Sequence, residues 1–200
     1  MSAVDDGDRT EGGFDLNSIM YASEPLTTKE FFALDVDEKL KVELIGGALA
    51  VSPSSKPWHG RVANRLARFL EDALGEQFSV FTDLDVIVDE ETVPRPDVFV
   101  IRTTAYHPDK VAEAADVVLA IEVMSPGSQV YDRRVKPILY RDAGIPSWRI
   151  ERSGQRLLLV EIPVRGAEQT HLGQVTLKVA DVEIPITIDL DAIARYALGE

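Results

Sequence analysis

Apolar residues recur at intervals of three and four positions from His59 to Gly75, the spacing of one face of an amphipathic helix. Gly75 suits the end of that helix, because glycine readily takes the left-handed conformation found at helix C-termini. A further helix is predicted over residues 132–143, where Gly144 and Pro146 close it. The first helix has a continuous apolar face, so we expect it to pack on a sheet.

Runs of β-branched and aromatic residues outside these helices predict strands of ordinary length. The runs cover residues 78–88, 98–101, 117–123, 148–151 and 156–160. Residues 89–92 and the pair Ser153-Gly154 have the composition of turns between strands. The order of helices and strands is mixed, which predicts an α/β fold.

The N-terminal part has three recognisable segments. Residues 1–24 contain six acidic residues and one arginine, which predicts a flexible tail ahead of one domain over residues 25–200. Thr27 and Glu30 match a capping box, which predicts a short helix. Gly46-Gly47 separates the apolar runs 42–45 and 48–51, a pattern typical of a β-hairpin.

The composition argues against several classes of protein for this chain, among them membrane-spanning, secreted and disulfide-bonded proteins. No run approaches the roughly 18 apolar residues that span a bilayer, and the first residues lack the basic and apolar regions of a secretion leader. We therefore expect a cytoplasmic protein without a membrane partner. Because the sequence contains no cysteine, disulfides and thiolate zinc sites are excluded.

The formal net charge of the 200-residue chain is -13, which opposes indiscriminate binding to a polyanion. The charge is unevenly spread, however. Residues 130–156 contain seven basic and three acidic residues. A locally basic face is therefore available to nucleic acid.

Two carboxylates lie within apolar strand patterns: Asp97 before Val-Phe-Val-Ile, and Glu122 between Ala-Ile and Val-Met. Desolvating a carboxylate is costly unless it is paired or binds a metal. Asp97 also fits an exposed first position of a strand after Pro96, and Glu122 also fits an ordinary buried ion pair. Taken together, carboxylates on neighbouring strands can share one magnesium ion, which prefers hard oxygen ligands.

Two further side chains are candidates for the same site. Pro137 suits the first position of a helix, so Lys136 is expected at the helix entrance. There its ammonium is within reach of a scissile phosphate or of the attacking water, and a solvated lysine is the alternative. His59, near the start of its helix, is a candidate phosphate contact or base, and a structural histidine is the alternative.

Arginines supply the candidate nucleic-acid surface. Arg61, Arg65 and Arg68 fall on the polar side of the first long helix, where they form either a phosphate-tracking stripe or an ordinary solvated face. Arg133 and Arg134 lie in the basic segment. The sequence contains neither a Gly-x-Ser-x-Gly elbow nor a phosphate-binding loop motif.

Six fragments in one order resemble the Uma-two family, endonucleases of the PD-(D/E)XK, restriction-endonuclease-like superfamily. They are residues 42–47, Ser52-Pro53 with His59, residues 95–97, residues 122–126, Asp132 with Lys136 and Tyr140, and residues 143–146 before Trp148. The resemblance covers about residues 26–162.

The resemblance implies a restriction-endonuclease-like core, which is a central mixed β-sheet flanked by helices. It also implies that Asp97 and Glu122, assisted by Glu43, hold Mg2+ or Mn2+. The position two residues after Glu122, where the superfamily has a lysine, is Met124, and Lys136 matches the position from which this family supplies that lysine. Nucleic acid, DNA in the first place, is the implied partner, and a homodimer would suit cleavage of two strands.

The function expected from these features is metal-dependent hydrolysis of phosphodiester bonds, with Lys136 stabilising the charge that develops on the phosphate. Two alternatives remain open. The superfamily contains inactive relatives, so the chain is alternatively a noncatalytic module that binds nucleic acid or protein. The third reading is metal-dependent hydrolysis of a small phosphoester.

Overall fold

The structure is a computed structural model that describes residues 24–37, 40–52, 55–125, 131–179, 182 and 184–199. The tail predicted over residues 1–24 lies outside this part of the chain, apart from Glu24. None of the described helices is long and apolar enough to cross a membrane.

The elements are numbered in chain order. The α-helices are α1 (Thr28–Phe32), α2 (Pro57–Leu74), α3 (Lys136–Asp142) and α4 (Leu190–Leu198). The strands are β1 (Lys41–Ile45), β2 (Ala48–Ser52), β3 (Phe78–Thr82), β4 (Val86–Ile87), β5 (Val98–Arg102), β6 (Ala112–Glu113), β7 (Val117–Val123), β8 (Ser147–Ser153), β9 (Arg156–Ile162), β10 (Gln169–His171), β11 (Gln174–Lys178) and β12 (Pro185–Asp189).

Six strands form a central sheet in the order β10-β9-β8-β7-β5-β3. Neighbouring strands are antiparallel except for β7 and β8, which run parallel. Helices α2 and α4 share one apolar core with the sheet, and α3 shares a second core with the strands β5 and β7. The predicted mixed α/β fold, a central mixed sheet flanked by helices, is confirmed.

Side chains alternate along the central strands and so reach two different cores. Val98 and Val100 of β5 pack in the same core as Leu66 and Leu70 of α2, and none of the four is exposed to solvent. Phe99, between the two valines, belongs to the core on the α3 side. Because β5 is covered on both faces, its first four residues are all apolar.

The hairpin of β1 and β2 forms as predicted, and its turn uses both glycines. Gly46 and Gly47 have φ angles of 58° and 75°, a region that favours glycine. A Cβ atom on Gly47 would clash with the Cβ of Pro25. Leu44 exchanges two backbone hydrogen bonds with Val93, of 3.1 and 2.7 Å. These bonds hold the hairpin against the segment that leads into β5.

Local backbone geometry explains where the elements differ from the sequence-based expectation. The strand predicted over residues 78–88 is divided into β3 and β4, because Asp83 between them has a φ of 54°, outside the extended region. The helix predicted from residue 132 begins as a π-helical turn, Tyr131–Val135, and continues as α3.

The predicted capping box at Thr27 and Glu30 is present. Beyond residue 162 the structure adds β10, β11, β12 and α4, which the sequence patterns above do not predict.

Candidate active site

Asp97 and Glu122 lie side by side where β5 and β7 pair. Val98 is opposite Ile121 in the antiparallel ladder, so the residue before Val98 faces the residue after Ile121. Asp97 is 2% exposed and Glu122 is 3% exposed. The backbone N–H of Val123 donates to Oδ2 of Asp97 at 2.7 Å, which ties this carboxylate to β7.

Two basic side chains converge on Asp97. Nζ of Lys41 lies 2.6 Å from Oδ1, and Nε2 of His59 lies 3.0 Å from Oδ2. Burial would raise the pKa of Asp97, but the hydrogen bond from His59 and the charge of Lys41 hold that pKa well below its usual range. Asp97 is therefore an anion at neutral pH.

Lys136 organises the other half of the site. Its ammonium contacts three carboxylates, those of Glu43 at 2.8 Å, Glu122 at 3.0 Å and Asp132 at 3.4 Å. Burial alone would lower the pKa of Lys136, but these carboxylates raise it well above its usual value. Lys136 therefore keeps its proton and is a fixed positive charge rather than a base.

Glu122 carries an oxygen atom that nothing in the described part of the protein satisfies. Oε1 accepts a hydrogen bond of 2.7 Å from the hydroxyl of Tyr140, whereas Oε2 is buried and has no hydrogen-bond partner among the described residues. Burial raises the pKa of Glu122 to about 8, although the charge of Lys136 acts in the opposite direction. Either a proton or an additional cation can satisfy this buried oxygen atom.

The entrance to α3 places three of the side chains. Pro137 has no N–H and cannot donate a hydrogen bond to a carbonyl of the preceding turn. That turn, residues 131–135, is a wider π-helical turn. Asp132, Lys136 and Tyr140 follow one another at intervals of four residues, so they lie on one side of this segment. That side faces Glu122 on β7.

The β1–β2 hairpin contributes one anion and one cation. Oε1 of Glu43 accepts the backbone N–H of Arg95 at 2.6 Å, which fixes Glu43 against the segment before Asp97. Lys41 lies two residues before Glu43 on β1, so both side chains project from the same face of the strand. The β1–β2 hairpin therefore sets the position of both groups.

A small polar pocket opens between the two halves of the site. Its free volume of about 10 Å3 corresponds to one water molecule or one ion. It is lined by Lys41, Glu43, Ser52, Ser55, His59, Asp97, Ser125, Asp132 and Lys136. Because every described residue of this lining is polar, the pocket suits an ion or a phosphate oxygen better than an apolar ligand.

Within the described residues, no three acidic or histidine side chains surround a common point as metal ligands do. The contacts give the reason, since the ammonium groups of Lys41 and Lys136 lie between the carboxylates. The donor set nevertheless fits Mg2+ or Mn2+, because its acids are hard oxygen donors and Oε2 of Glu122 lacks a partner among these residues.

The structure gathers most of the site residues predicted from the sequence. They are Glu43, His59, Asp97, Glu122 and Lys136. His59, predicted as a nucleic-acid contact, is buried against Asp97 and lines the pocket. The structure adds Lys41, Asp132 and Tyr140, whose roles in the site were not predicted. Each had a sequence signal, because Lys41 shares a strand face with Glu43, and Asp132 and Tyr140 stand with Lys136 in one fragment of the family resemblance.

Arg61 and Arg65, two of the arginines predicted to bind nucleic acid, join α2 to α4. Nε of Arg61 donates to the backbone carbonyl of Tyr196 at 3.1 Å. The guanidinium groups of Arg61 and Arg65 lie 4.3 and 5.4 Å from the centre of the Tyr196 ring. Both side chains therefore have a structural contact that the sequence pattern did not reveal.

Arg133 and Arg134 lie on the π turn, directly after the pocket residue Asp132, and both are exposed. Arg133 pairs with Glu151 at 2.7 Å. The two arginines therefore follow directly in the chain after one of the carboxylates that contact Lys136, and both are accessible to a ligand.

A larger pocket, of about 760 Å3, borders β3, β5 and β6 and includes the rings of Phe81, Phe99 and Tyr106. Its charged lining residues are Asp85, Asp109, Glu113 and Asp116 with Lys110. Because negative charge predominates there, this pocket repels phosphate. Phosphate chemistry is better placed at the pocket beside Asp97.

Comparison with known proteins identifies the family and a similar fold. A family model described as "putative restriction endonuclease" matches residues 28–187. The crystal structure of a putative nuclease from Anabaena variabilis, belonging to DUF820, is similar with a TM-score of 0.69. That likeness covers 86% of this chain and 99% of the other at 15% sequence identity, so it shows the fold alone. No curated protein sequence matches this chain.

Proposed function

Because the chain belongs to the Uma-two family of restriction-endonuclease-like proteins, we propose that it is a divalent-metal-dependent endonuclease that hydrolyses phosphodiester bonds of nucleic acid. The observation that carries this proposal is Glu122, a buried carboxyl opposite Asp97 with one oxygen atom that lacks a partner among the described residues. A cation is a group that such an oxygen can bind. DNA is the substrate we propose first.

Asp97 and Glu122 are the residues proposed to hold the ion, assisted by Glu43. Mg2+ or Mn2+, when bound, supplies a Lewis acid for a phosphate oxygen and lowers the pKa of a bound water molecule. His59 and the N–H of Val123 both hold Oδ2 of Asp97, which orients its carboxylate. Preorganised ligands of this kind avoid the cost of ordering them when the ion binds.

Lys136 is proposed as an electrostatic stabiliser of the reaction. Its ammonium stays charged and is held in place by the carboxylates of Glu43, Glu122 and Asp132. A positive charge that is already in position stabilises the negative charge developing on the phosphate without further reorganisation. In this proposal Lys136 takes the role of the lysine that the superfamily places two residues after the glutamate.

Arg133 and Arg134 are proposed to contact phosphates next to the scissile bond. They are exposed and follow the pocket residue Asp132 directly. Arginine is suited to this contact because its guanidinium matches phosphate geometry. The local positive charge offsets the net charge of -13 at the place where nucleic acid must approach.

A cleavage assay tests this function on single-stranded and double-stranded DNA and RNA, with Mg2+, Mn2+ or a chelator. We expect ion-dependent internal cleavage of at least one substrate, and its loss in Asp97→Ala. Glu113→Gln, an exposed residue in the acidic pocket, is the control and should cleave normally. Equal cleavage by Asp97→Ala and the wild type, or no cleavage of any substrate, would contradict the proposal.

A noncatalytic nucleic-acid-binding module is the second candidate, and Met124 favours it. The side chain two residues after Glu122 is a 7% exposed methionine, which cannot contribute a charge to the reaction. This reading predicts that nucleic acid binds with the same affinity with and without a divalent ion and is never cut. The same assay, with a binding measurement beside it, separates the two functions.

A further inference from the structure

The carboxylate of Asp97 divides its two oxygen atoms between different kinds of partner. Oδ2 accepts two hydrogen bonds from groups fixed by the fold, the N–H of Val123 at 2.7 Å and Nε2 of His59 at 3.0 Å. Oδ1 faces the ammonium of Lys41 at 2.6 Å. A metal ion that binds Asp97 through Oδ1 must therefore take the place of Lys41.

Lys41 has a second carboxylate within reach. Its Nζ lies 3.5 Å from Oδ1 of Asp83, and the Asp83 side chain is 70% exposed. Asp83 is the one non-glycine residue with a positive φ in the described part of the chain, at 54°. Its backbone N–H points to the carbonyl oxygen of Asp97 at 3.4 Å. The break between β3 and β4 thus places Asp83 beside the site.

The two lysines of the site differ in how firmly they are held. The side chain of Lys136 is 1% exposed and contacts three carboxylates within 3.4 Å. The side chain of Lys41 is 19% exposed, with one close carboxylate and one more distant one. A lysine side chain is flexible, so Lys41 can change partner without a change in the backbone.

Building on the proposed function, we propose that Lys41 is a placeholder cation that moves between Asp97 and Asp83. In the metal-free protein its ammonium neutralises the buried Asp97, whose other partners, His59 and the N–H of Val123, both bind Oδ2 rather than Oδ1. When a divalent ion binds Asp97, the ammonium turns to Asp83, which keeps it paired. Asp83 therefore strengthens metal binding through Lys41.

Titration calorimetry with Mn2+ tests this exchange in four proteins: the wild type, Lys41→Met, Asp83→Asn and the double variant. Lys41→Met should bind Mn2+ at least about tenfold more tightly, because no ammonium competes for Asp97. Asp83→Asn should bind about three- to tenfold more weakly, because the displaced ammonium loses its partner. In the Lys41→Met background, Asp83→Asn should change the affinity less than about twofold. Lys29→Met, an exposed lysine on α1, is the control and should match the wild type.

The double variant separates the placeholder role from a simple effect of charge. If Asp83→Asn weakens binding by the same factor with and without Lys41, Asp83 acts only through its charge and the inference is wrong. Unchanged or weaker binding by Lys41→Met also overturns it. Absence of Mn2+ binding in all four proteins overturns the metal site itself, and with it the proposed function.

Discussion

Around Lys136, one ammonium faces three buried acidic side chains, and neither this cation nor an ionised carboxylate beside it would be stable in the interior by itself. The cluster is therefore a stability element as well as a candidate catalytic one. Its members come from different parts of the chain, the β1–β2 hairpin, β7 and the entrance to α3. Substitutions here should change both folding and activity.

Lys136→Met removes the charge and keeps much of the side-chain length. We expect the free energy of unfolding to fall by about 3 to 5 kcal/mol, because buried carboxylates lose their cation. In the folded fraction the cleavage rate should fall by about two to four orders of magnitude. Urea denaturation and single-turnover cleavage measure the two effects, with the exposed Lys110→Met as control. A normal cleavage rate would show that Lys136 has no role in the reaction.

Glu122→Gln tests the raised pKa of this carboxyl. The folded pKa of about 8 exceeds the value of about 4.3 expected in the unfolded chain. Between these values the native protein holds a proton that the unfolded chain releases, so the stability of the metal-free wild type falls as pH rises. The slope reaches up to about 1.4 kcal/mol per pH unit.

Glutamine has no proton to release, so Glu122→Gln should lose this pH dependence. Urea denaturation with a chelator at about pH 5.5 and about pH 7.5 measures the difference within the predicted window. Parallel profiles for the two proteins would show that Glu122 ionises normally in the folded state.

At the level of single residues, the sequence indicates only part of the site. Asp97 and Glu122 could be predicted because their apolar neighbours make an isolated carboxylate costly. The contact between Lys41 and Asp97 could not, because it joins residues 56 positions apart whose pairing depends on where the hairpin packs. The hydrogen bond from Tyr140 to Glu122 likewise depends on the direction in which α3 crosses the sheet.

The β1–β2 hairpin is the element that brings Glu43 and Lys41 to the site, and Gly47 lets it pack closely. Gly47→Ala should destabilise the protein more than Gly46→Ala. Both substitutions place alanine at a positive φ, at a cost of about 1–2 kcal/mol. Only the Cβ at position 47 also meets Pro25, which adds about 1–3 kcal/mol. Equal destabilisation in urea denaturation would show that Pro25 yields to the added methyl group.

Elements with a strong local signal could be predicted, whereas those that depend on distant contacts could not. The helix from His59 to Gly75 and the hairpin at Gly46-Gly47 form much as their patterns indicate. Asp83 interrupts a run that is continuously strand-like in sequence, and its positive φ has no clear sequence signal. Polar and apolar residues alternate only briefly in β11 and β12, where packing against α4 completes the fold.

The charge of the whole molecule, -13, makes the location of its basic residues decisive for nucleic-acid binding. Reversing Arg133 and Arg134 to Glu should weaken binding to a short DNA duplex, because two proposed phosphate partners become repulsive. The slope of affinity against salt concentration should also fall, by about one for each phosphate that the protein no longer touches. Fluorescence anisotropy at several salt concentrations measures both quantities.

Arg61→Glu with Arg65→Glu is the matched comparison, since these arginines contact Tyr196 on α4. We expect this pair of substitutions to lower stability more than it weakens binding. A larger reduction of affinity from this pair than from Arg133 and Arg134 would place the phosphate contacts on α2 instead.

The function of the whole molecule depends on whether Asp97 and Glu122 together hold a divalent ion beside the small pocket. Anomalous diffraction from crystals of the protein grown with Mn2+ answers this directly. We expect one strong peak beside that pocket, at about 2.0 to 2.6 Å from an oxygen atom of Asp97 and from one of Glu122. Manganese found only on surface carboxylates, with the pocket unchanged, would contradict a metal site formed by these two residues.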